Sequence, residues 1–341
     1  MSYQRVVLRK FGGPEELQLE TVEDLPEPGP GEVRVKVLSA GTGFTDTIIR
    51  QGQYPGVKDK PPFVPGYDWF GVVDALGAGV TDLQLGQCVA DMPVIGAYTE
   101  YLCVAADRVV PAPDGLDPAA AVAMILSYTT AYQMLTRLKQ LQPGMSCLVH
   151  AAGGAVGTAL LELGRHMGLR MYGTASSAKH DVVRRFGGVP IDYRNEDFEQ
   201  VISRETAGEG VDIVFDTIGG ANWARSYRCL KRGGLLVGFG ALQMTTGQEK
   251  LPSLLWGFAR LLGLWKLWPD GRDSTFYNIQ SRREKLPGEF REDVQALFAL
   301  LQGGSLQPAI AGTAQLQEVA QVHQRIDNAE IAGKVVLLCN T

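Results

Sequence analysis

The sequence predicts an α/β protein in two parts, a β-rich segment followed by a doubly wound parallel sheet. Three observations carry this expectation. Residues 1–120 alternate apolar and polar side chains between clusters of Pro and Gly. From Cys147 onward, short apolar runs alternate with helical patterns. At the head of that alternation stands Ser146-Cys-Leu-Val-His-Ala-Ala-Gly-Gly-Ala-Val-Gly157, an apolar run entering a Gly-rich turn, followed by the helix-like spacing of Leu160, Leu161, Leu163, Gly164 and Met167.

In chain order, Val33–Leu38 alternates as a half-buried strand does, and Phe70–Leu76 and Tyr98–Val104 read as further strands. Turn residues separate them: Pro26, Pro28, Gly29, Pro30 and Gly31, then Pro61, Pro62, Pro65 and Gly66. A helix is expected from Pro118 to about Leu138. The strands of the second part are expected at Cys147–Val149, Arg170–Ala175, Val189–Ile191, Val211–Asp216 and Gly234–Phe239. Helices are expected at Lys179–Phe186, Phe198–Thr206 and Trp223–Leu230. Such alternation implies a parallel sheet covered by helices. A late helix, Phe290–Leu301, stops at Gly303-Gly304, and Lys334–Leu338 reads as a strand that rejoins the first part.

The totals narrow the function classes. A chain of 341 residues suits roughly two domains. With 45% hydrophobic and 20% charged residues, the composition is that of a soluble globular protein. A net charge of -5 argues against a general nucleic-acid or anionic-membrane surface. No signal peptide is read at the start, and the apolar stretch 251–268 is interrupted by Arg260 and Lys266, so no membrane span is expected. The five Cys are scattered with no C-x-x-C pair, which fits reduced thiols in a cytoplasmic protein.

Ala152-x-Gly154-x-x-Gly157 approximates the dinucleotide fingerprint, with Ala in place of the first Gly. Backbone amides over Ala152, Gly153, Gly154, Ala155, Val156 and Gly157, with the positive end of the helix dipole, suit a pyrophosphate. The alternative is an ordinary strand-to-helix turn. An NAD site places a carboxylate about 20 residues beyond the fingerprint, on the ribose 2′-OH. Here the corresponding stretch reads Thr174-Ala-Ser-Ser-Ala-Lys179, with no carboxylate before Asp181. Hydroxyls and a cation suit a 2′-phosphate, so Ser176 and Lys179 are its candidate ligands and NADPH the expected cofactor. The plainer alternative is a Ser cap beside a solvated Lys.

With these motifs in view, the chain resembles the medium-chain dehydrogenase/reductase superfamily, in its zinc-free quinone oxidoreductase (zeta-crystallin-like) branch. The carriers are Gly41-Thr-Gly-Phe-Thr-Asp46, Ile49-Arg-Gln-Gly-Gln-Tyr54, Val64-Pro-Gly-Tyr-Asp68, Thr129-Thr-Ala-Tyr132, His150–Gly157, Asp216-Thr-Ile-Gly-Gly220 and Gly333-Lys-Val-Val-Leu337. The resemblance implies a GroES-like catalytic domain over 1–123, completed by 310–341. It also implies a Rossmann NADP(H)-binding domain over 124–309, with a cleft between the two. It implies NADPH-linked reduction of a small lipophilic acceptor, a quinone or an activated carbon–carbon double bond. Tyr193 falls where such enzymes carry a Tyr near the adenosine end of the cofactor. Thr130 falls on the nicotinamide side, and Phe239 and Gly240 where backbone meets the nicotinamide ring.

Departures from the family pattern are equally informative. Zinc alcohol dehydrogenases place a Cys at the position of Gly43 and a His-Glu pair at Tyr67-Asp68, so those thiolate and imidazole ligands are missing. No metal site is expected, and His150, His166, His180 and His323 read as capping or surface residues. Many quinone oxidoreductases carry an Asn where Gly43 stands, so a polar contact to the acceptor carbonyl is also missing. Tyr54, in its Gln-Gly-x-Tyr setting, resembles the proton-donor tyrosine of related enoyl-thioester reductases. Its hydroxyl is the candidate for meeting an enolate. Tyr67 and Tyr128 are further candidates for the cleft wall, and Asp46 and Asp68 for buried hydrogen bonding. The stretch 252–268, with three of the five Trp, reads as a substrate wall, a membrane-surface contact or a helix buried in a dimer. Phe276–Ile279 is where family members pair their sheets, which implies a homodimer. Alternatives to the reductase reading are an enoyl-thioester reductase and a catalytically weak NADPH-binding regulatory or vesicle-associated protein.

Overall fold

The computed structural model describes residues 1–242 and 251–339. The chain divides into two compact units, Met1–Thr129 with Arg282–Thr341, and Thr130–Ser281.

The first unit is built on a sheet of seven strands. Its spine runs β14 (Ile310–Gln315), β15 (Lys334–Leu338), β3 (Glu32–Gly41), β4 (Trp69–Leu76), β5 (Cys88–Asp91) and β7 (Val110–Pro111), and β6 (Tyr101–Ala105) also pairs with β3. A separate antiparallel hairpin joins β1 (Tyr3–Leu8) to β2 (Leu17–Val22). The period-2 pattern of β3 does what it predicts: Val33, Val35 and Val37 are fully buried, in one cluster with Trp69, Tyr98 and Leu337. Each such side chain contributes about 1.5–3 kcal/mol of burial. The strand expected at Tyr98–Val104 begins only at Tyr101. The Tyr98 amide donates to the Pro65 carbonyl and its carbonyl accepts from the Val6 amide, so residues 98–100 are spent on other neighbours.

The helix expected from Pro118 exists but is not uniform. It runs as α2 (Pro118–Ala123), a π-helical turn over Met124–Tyr128 and α3 (Thr129–Thr136). Asp117 caps its start, accepting from the Ala120 amide at 3.0 Å. The π turn has an identifiable cause. The Leu126 amide donates to Asp68 Oδ2 at 3.1 Å, so a side chain enters the ladder of main-chain bonds.

The second unit is a six-stranded, wholly parallel sheet in the order β10 (Gly188–Asp192), β9 (Arg170–Ala175), β8 (Ser146–Val149), β11 (Val211–Asp216), β12 (Leu230–Gly238), β13 (Asp273–Phe276). Numbered within this sheet the order is 3-2-1-4-5-6, a doubly wound arrangement whose strand order reverses between β8 and β11. The helix expected at Trp223–Leu230 is α7, Ala221–Arg228; it ends early because Leu230 already pairs with Val211 and opens β12. Of the expected stretch Phe276–Ile279 only Phe276 lies in a strand, and Ile279 opens a helix. Asp273–Phe276 lies parallel to β12 as the end strand of this sheet.

The Trp-rich stretch forms a helix, Leu251–Leu262, and a 3-10 turn, Leu264–Leu267. Leu254 and Leu261 point into the core, and Trp265 stacks on Tyr227 at 4.5 Å. Trp256, Leu267 and Trp268 are exposed. Among the described residues no helix is long and apolar enough to cross a membrane.

Candidate active site

The second unit presents its Gly-rich turn at the carboxyl end of β8, where the strand order reverses and such folds hold ligands. Gly154 precedes α4 (Ala155–His166) in an extended conformation. The amides of Ala155, Val156 and Gly157 are first-turn donors with no partner inside the helix. Glycine is required at 157, where a Cβ would lie 2.4 Å from the Ala151 carbonyl oxygen and 2.6 Å from Ala152 Cα. At Gly154 a Cβ would meet only the Ala151 carbonyl oxygen, at 3.3 Å, so internal packing alone does not demand Gly there. Its bare backbone leaves the helix start open to a ligand.

The Ala at the first fingerprint position is matched elsewhere. Ala152 is fully buried, and a Cβ on Gly173 of β9 would fall 2.6 Å from its methyl group. The methyl that the fingerprint lacks at one position is thus present here, and the facing strand gives way instead.

At the end of β9 the chain carries Ser176 and a 3-10 turn over Ser177–Lys179. The Ser176 hydroxyl makes no cap bond to that turn. Lys179 is half-buried: its side chain lies along Gly153, where an added Cβ would meet Lys179 Cβ and Cδ at 2.9 Å. Burial lowers its pKa. The arrangement is therefore not that of a cap beside a solvated Lys. Tyr193 follows β10 next to this turn, since Asp192 pairs with Ala175; it is exposed, with the Arg194 guanidinium 5.8 Å from its ring. Arg194 was not singled out by sequence reasoning. Thr130 is buried in α3, and Phe239 and Gly240 follow β12 partly exposed. Gly240 is held close to Thr217, whose Oγ1 would lie 2.3 Å from a Cβ there.

His150 is not a surface residue. Its Nε2 lies 3.0 Å from Ser226 Oγ, which donates to Asp216 Oδ2 at 2.6 Å, and its Nδ1 lies 2.9 Å from Thr174 Oγ1. Because Ser226 gives its proton to Asp216, it accepts from Nε2–H, and Nδ1 accepts from Thr174. Burial holds the ring neutral by lowering its pKa. Asp216 also accepts from the amides of Ile218 and Gly219 and from Asn222. The ends of β8, β9 and β11 are thereby tied together beneath the Gly-rich turn.

The first unit holds a second cluster. The hydroxyls of Tyr54 and Tyr67 are 2.7 Å apart, with the rings edge to face at 5.9 Å. Tyr54 lies on the loop after α1 (Phe44–Arg50) and is partly exposed, whereas Tyr67 is 1% exposed. Tyr67 is thus a buried partner of Tyr54 rather than a cleft-wall residue, and Tyr128 is buried in the π turn. Burial raises the pKa of both hydroxyls, and that of Tyr67 well above the ordinary phenol value. Asp68 is buried and accepts from Lys334 Nζ at 3.1 Å. Asp46 is fully buried with neither oxygen at normal hydrogen-bonding geometry, although the Tyr98 hydroxyl faces it closely enough to lower its pKa. Burial and the Asp68 charge outweigh that help and push the Asp46 carboxyl up to about 7. Behind it, Tyr98 OH lies 3.2 Å from His323 Nε2, and His323 Nδ1 lies 3.4 Å from Arg50, which donates to Asp327 at 2.7 Å. His323 is therefore another buried histidine, its pKa lowered to about 3 by burial and by Arg50.

Zinc does not fit this donor set. Gly43 offers no side chain, Tyr67 is held by Tyr54, and the cation facing Asp68 is the Lys334 ammonium. Among the described residues no three His, Cys, Asp or Glu side chains are grouped to hold a metal ion.

A parallel sheet with a Gly-lined helix start in one unit, and a GroES-type sheet carrying buried carboxyls and a tyrosine pair in the other, are the two parts of a dehydrogenase/reductase of the two-domain kind. Residues 29–114 match the family model of the alcohol dehydrogenase GroES-like domain, and residues 188–337 that of the zinc-binding dehydrogenase. A synaptic vesicle membrane protein VAT-1 homolog from Danio rerio is 33% identical over 98% of this chain and 70% of its own length. A 2-haloacrylate reductase from Burkholderia is 30% identical over 97% of this chain and 98% of its own. The structure of Escherichia coli quinone oxidoreductase complexed with NADPH superposes with a TM-score of 0.84 at 28% identity, covering 98% of this chain and 99% of that one. The chain belongs to the medium-chain dehydrogenase/reductase superfamily, in its quinone oxidoreductase branch, a family of oxidoreductases.

Proposed function

We propose that the chain is a zinc-independent, NADPH-dependent reductase that passes a hydride to the activated double bond of an α,β-unsaturated carbonyl, or to a quinone. The observation that carries the proposal is the Lys179 side chain laid along Gly153, at a strand end with no carboxylate between Thr174 and Lys179. A cation beside the Gly-rich turn suits a 2′-phosphate and leaves a ribose 2′-OH without its usual acceptor. The Burkholderia and Escherichia coli relatives support the acceptor class and the cofactor.

The residues divide by task. Ala152, Gly153, Gly154, Ala155, Val156 and Gly157 hold the pyrophosphate, with the helix start supplying amides. Ser176, Lys179 and Tyr193 hold the phosphorylated ribose. Thr130, Phe239 and Gly240 fix the nicotinamide end. NADPH supplies the hydride when bound. Tyr54 stabilises the enolate that hydride addition leaves on the acceptor and gives it a proton. The Lys334–Asp68 pair holds its charge inside the first unit, so no metal is needed to balance that carboxylate.

The test is oxidation of NADPH measured in parallel against quinones, alkenals, enones, 2-haloacrylates and enoyl thioesters. Turnover with unsaturated carbonyls or quinones is expected. The VAT-1 homolog similarity and the missing polar side chain at Gly43 favour a second reading, a catalytically weak NADPH-binding regulatory or vesicle-associated protein. Tight NADPH binding without oxidation by any acceptor is the outcome that selects it.

A further inference from the structure

We propose that Tyr67 is a positioning residue for the proton transfer: its buried hydroxyl donates to Tyr54, aims the Tyr54 proton at the acceptor and stabilises the phenolate left behind. The inference rests on the reading of Tyr54 as the proton donor.

The geometry joins a loop residue to one anchored beside a strand. Tyr54 sits on a loop that leaves α1 through Gly52, whose φ is +74°. Loops position side chains less well than strands do. Tyr67 stands two residues before β4 and is held on several sides. Its carbonyl accepts from the Val94 amide at 3.2 Å, and the next residue, Asp68, accepts from the Gly41 amide through its carbonyl and from Leu126 and Lys334 through its carboxylate. A hydroxyl 2.7 Å away on this anchored residue fixes where the Tyr54 oxygen stands.

The direction of the bond follows from burial and charge. Tyr67 is the more deeply buried ring and feels the carboxyls of Asp46 and Asp68, so it is the harder of the two to ionise. Its buried O–H also needs an acceptor inside the protein, and the Tyr54 oxygen stands 2.7 Å away, so Tyr67 donates to it. The contact correspondingly works to lower the Tyr54 pKa, against the burial that raises it. The Tyr54 proton is then free to face away from Tyr67.

The step balances. As hydride bonds to the β-carbon, the electron pair of the double bond becomes available at the α-carbon. The Tyr54 O–H bond breaks, its proton bonds to that carbon, and the O–H electron pair stays on Tyr54 as phenolate. The hydrogen bond from Tyr67 stabilises the phenolate until water returns a proton. A quinone differs, because its reduced form is an oxyanion that solvent protonates. The tyrosine pair therefore marks a site suited to carbon acids, the unsaturated carbonyls.

The test compares wild type, Tyr54→Phe, Tyr67→Phe and the double variant on trans-2-hexenal and on 1,4-benzoquinone, each across pH. Tyr54→Phe is expected to lower turnover of hexenal about 100-fold or more. Tyr67→Phe is expected to lower it about tenfold and to move the alkaline limb of the profile to higher pH. In the Tyr54→Phe background the Tyr67 change is expected to have no further effect, and benzoquinone turnover is expected to respond less throughout. An unmoved alkaline limb, or an equal loss from Tyr67→Phe in both backgrounds, overturns the inference while leaving Tyr54 as donor. Full hexenal activity in Tyr54→Phe overturns the donor reading and the inference with it. If Tyr67→Phe does not fold, 3-fluorotyrosine at position 67 replaces it. That more acidic phenol is expected to move the limb to lower pH, and no movement overturns the inference.

Discussion

Lys179 and Asp46 show how single residues carry the cofactor choice and the pH response. Lys179→Ala is expected to weaken NADPH binding by about 10- to 100-fold, because a charge-assisted hydrogen bond to phosphate is lost, and to leave NADH nearly unchanged. Calorimetric titration with both cofactors checks this, and equal losses would defeat the 2′-phosphate assignment. Asp46 titrates near 7 in the fold against 3.8 in the open chain. Between those values the folded state holds a proton that the unfolded state has released, so this residue makes stability fall as pH rises, with the full cost present above 7. Asp46→Asn is therefore expected to stabilise the protein by a few kcal/mol at about pH 8 and to change little at about pH 4, as read by thermal unfolding. His323 acts with the opposite slope: its stability contribution is complete above 6.5 and is lost as pH falls toward 3. Sequence reasoning singled out Tyr54, Ser176 and Lys179 because short motifs carry them. The partners of Tyr67, Lys334 and His323 were not legible, because the fold sets them; Lys334 meets Asp68 across 266 positions of chain.

Among the elements, the parallel sheet was the more legible half. Val211–Asp216 and Arg170–Ala175 occur as their apolar runs imply, since a strand buried on both faces needs little more than a short apolar run. Strands β2, β5, β7 and β14 escaped notice; most are short or flanked by polar residues, and pairing rather than pattern makes them strands. The π turn in the helix after Pro118 was equally hidden, because its cause, Asp68, is remote in sequence. The packing of β9 on the Gly-rich turn gives a sharp test. Gly173→Ala sets two methyl carbons about 2.6 Å apart and is expected to cost about 1–3 kcal/mol and to weaken NADPH binding. Adding Ala152→Gly to the same chain is expected to restore most of both, measured by thermal melting and NADPH titration. Failure of that rescue would mean that the two methyl positions are not the point of conflict.

For the whole molecule, the ends of the parallel sheet matter. An unpaired strand edge presents a row of amides and carbonyls that favours association. At one end β10 carries Pro190, which lacks an amide and blunts pairing. At the other end β13, Asp273–Phe276, has no proline. We therefore expect two chains to join through β13, giving sedimentation at twice the 36.9 kDa chain mass. A single-chain mass at micromolar concentration would contradict this. The family relationship and the two-part α/β plan were both legible from the motifs, because the fingerprint and the alternation around it are local.

Strand β15 enters the first sheet between β14 and β3, and Thr42 bonds to the Val335 carbonyl across 293 positions of chain. On a ribosome adding about 5–20 residues per second, β3 emerges roughly 15–60 s before β15 exists to cover Ser39–Gly41. The intervening residues 130–281 are contiguous and can collapse on themselves in that interval. The nascent N-terminal sheet must meanwhile wait with part of a strand uncovered, so newly made chains should be most prone to clump, and most dependent on chaperones, before synthesis ends.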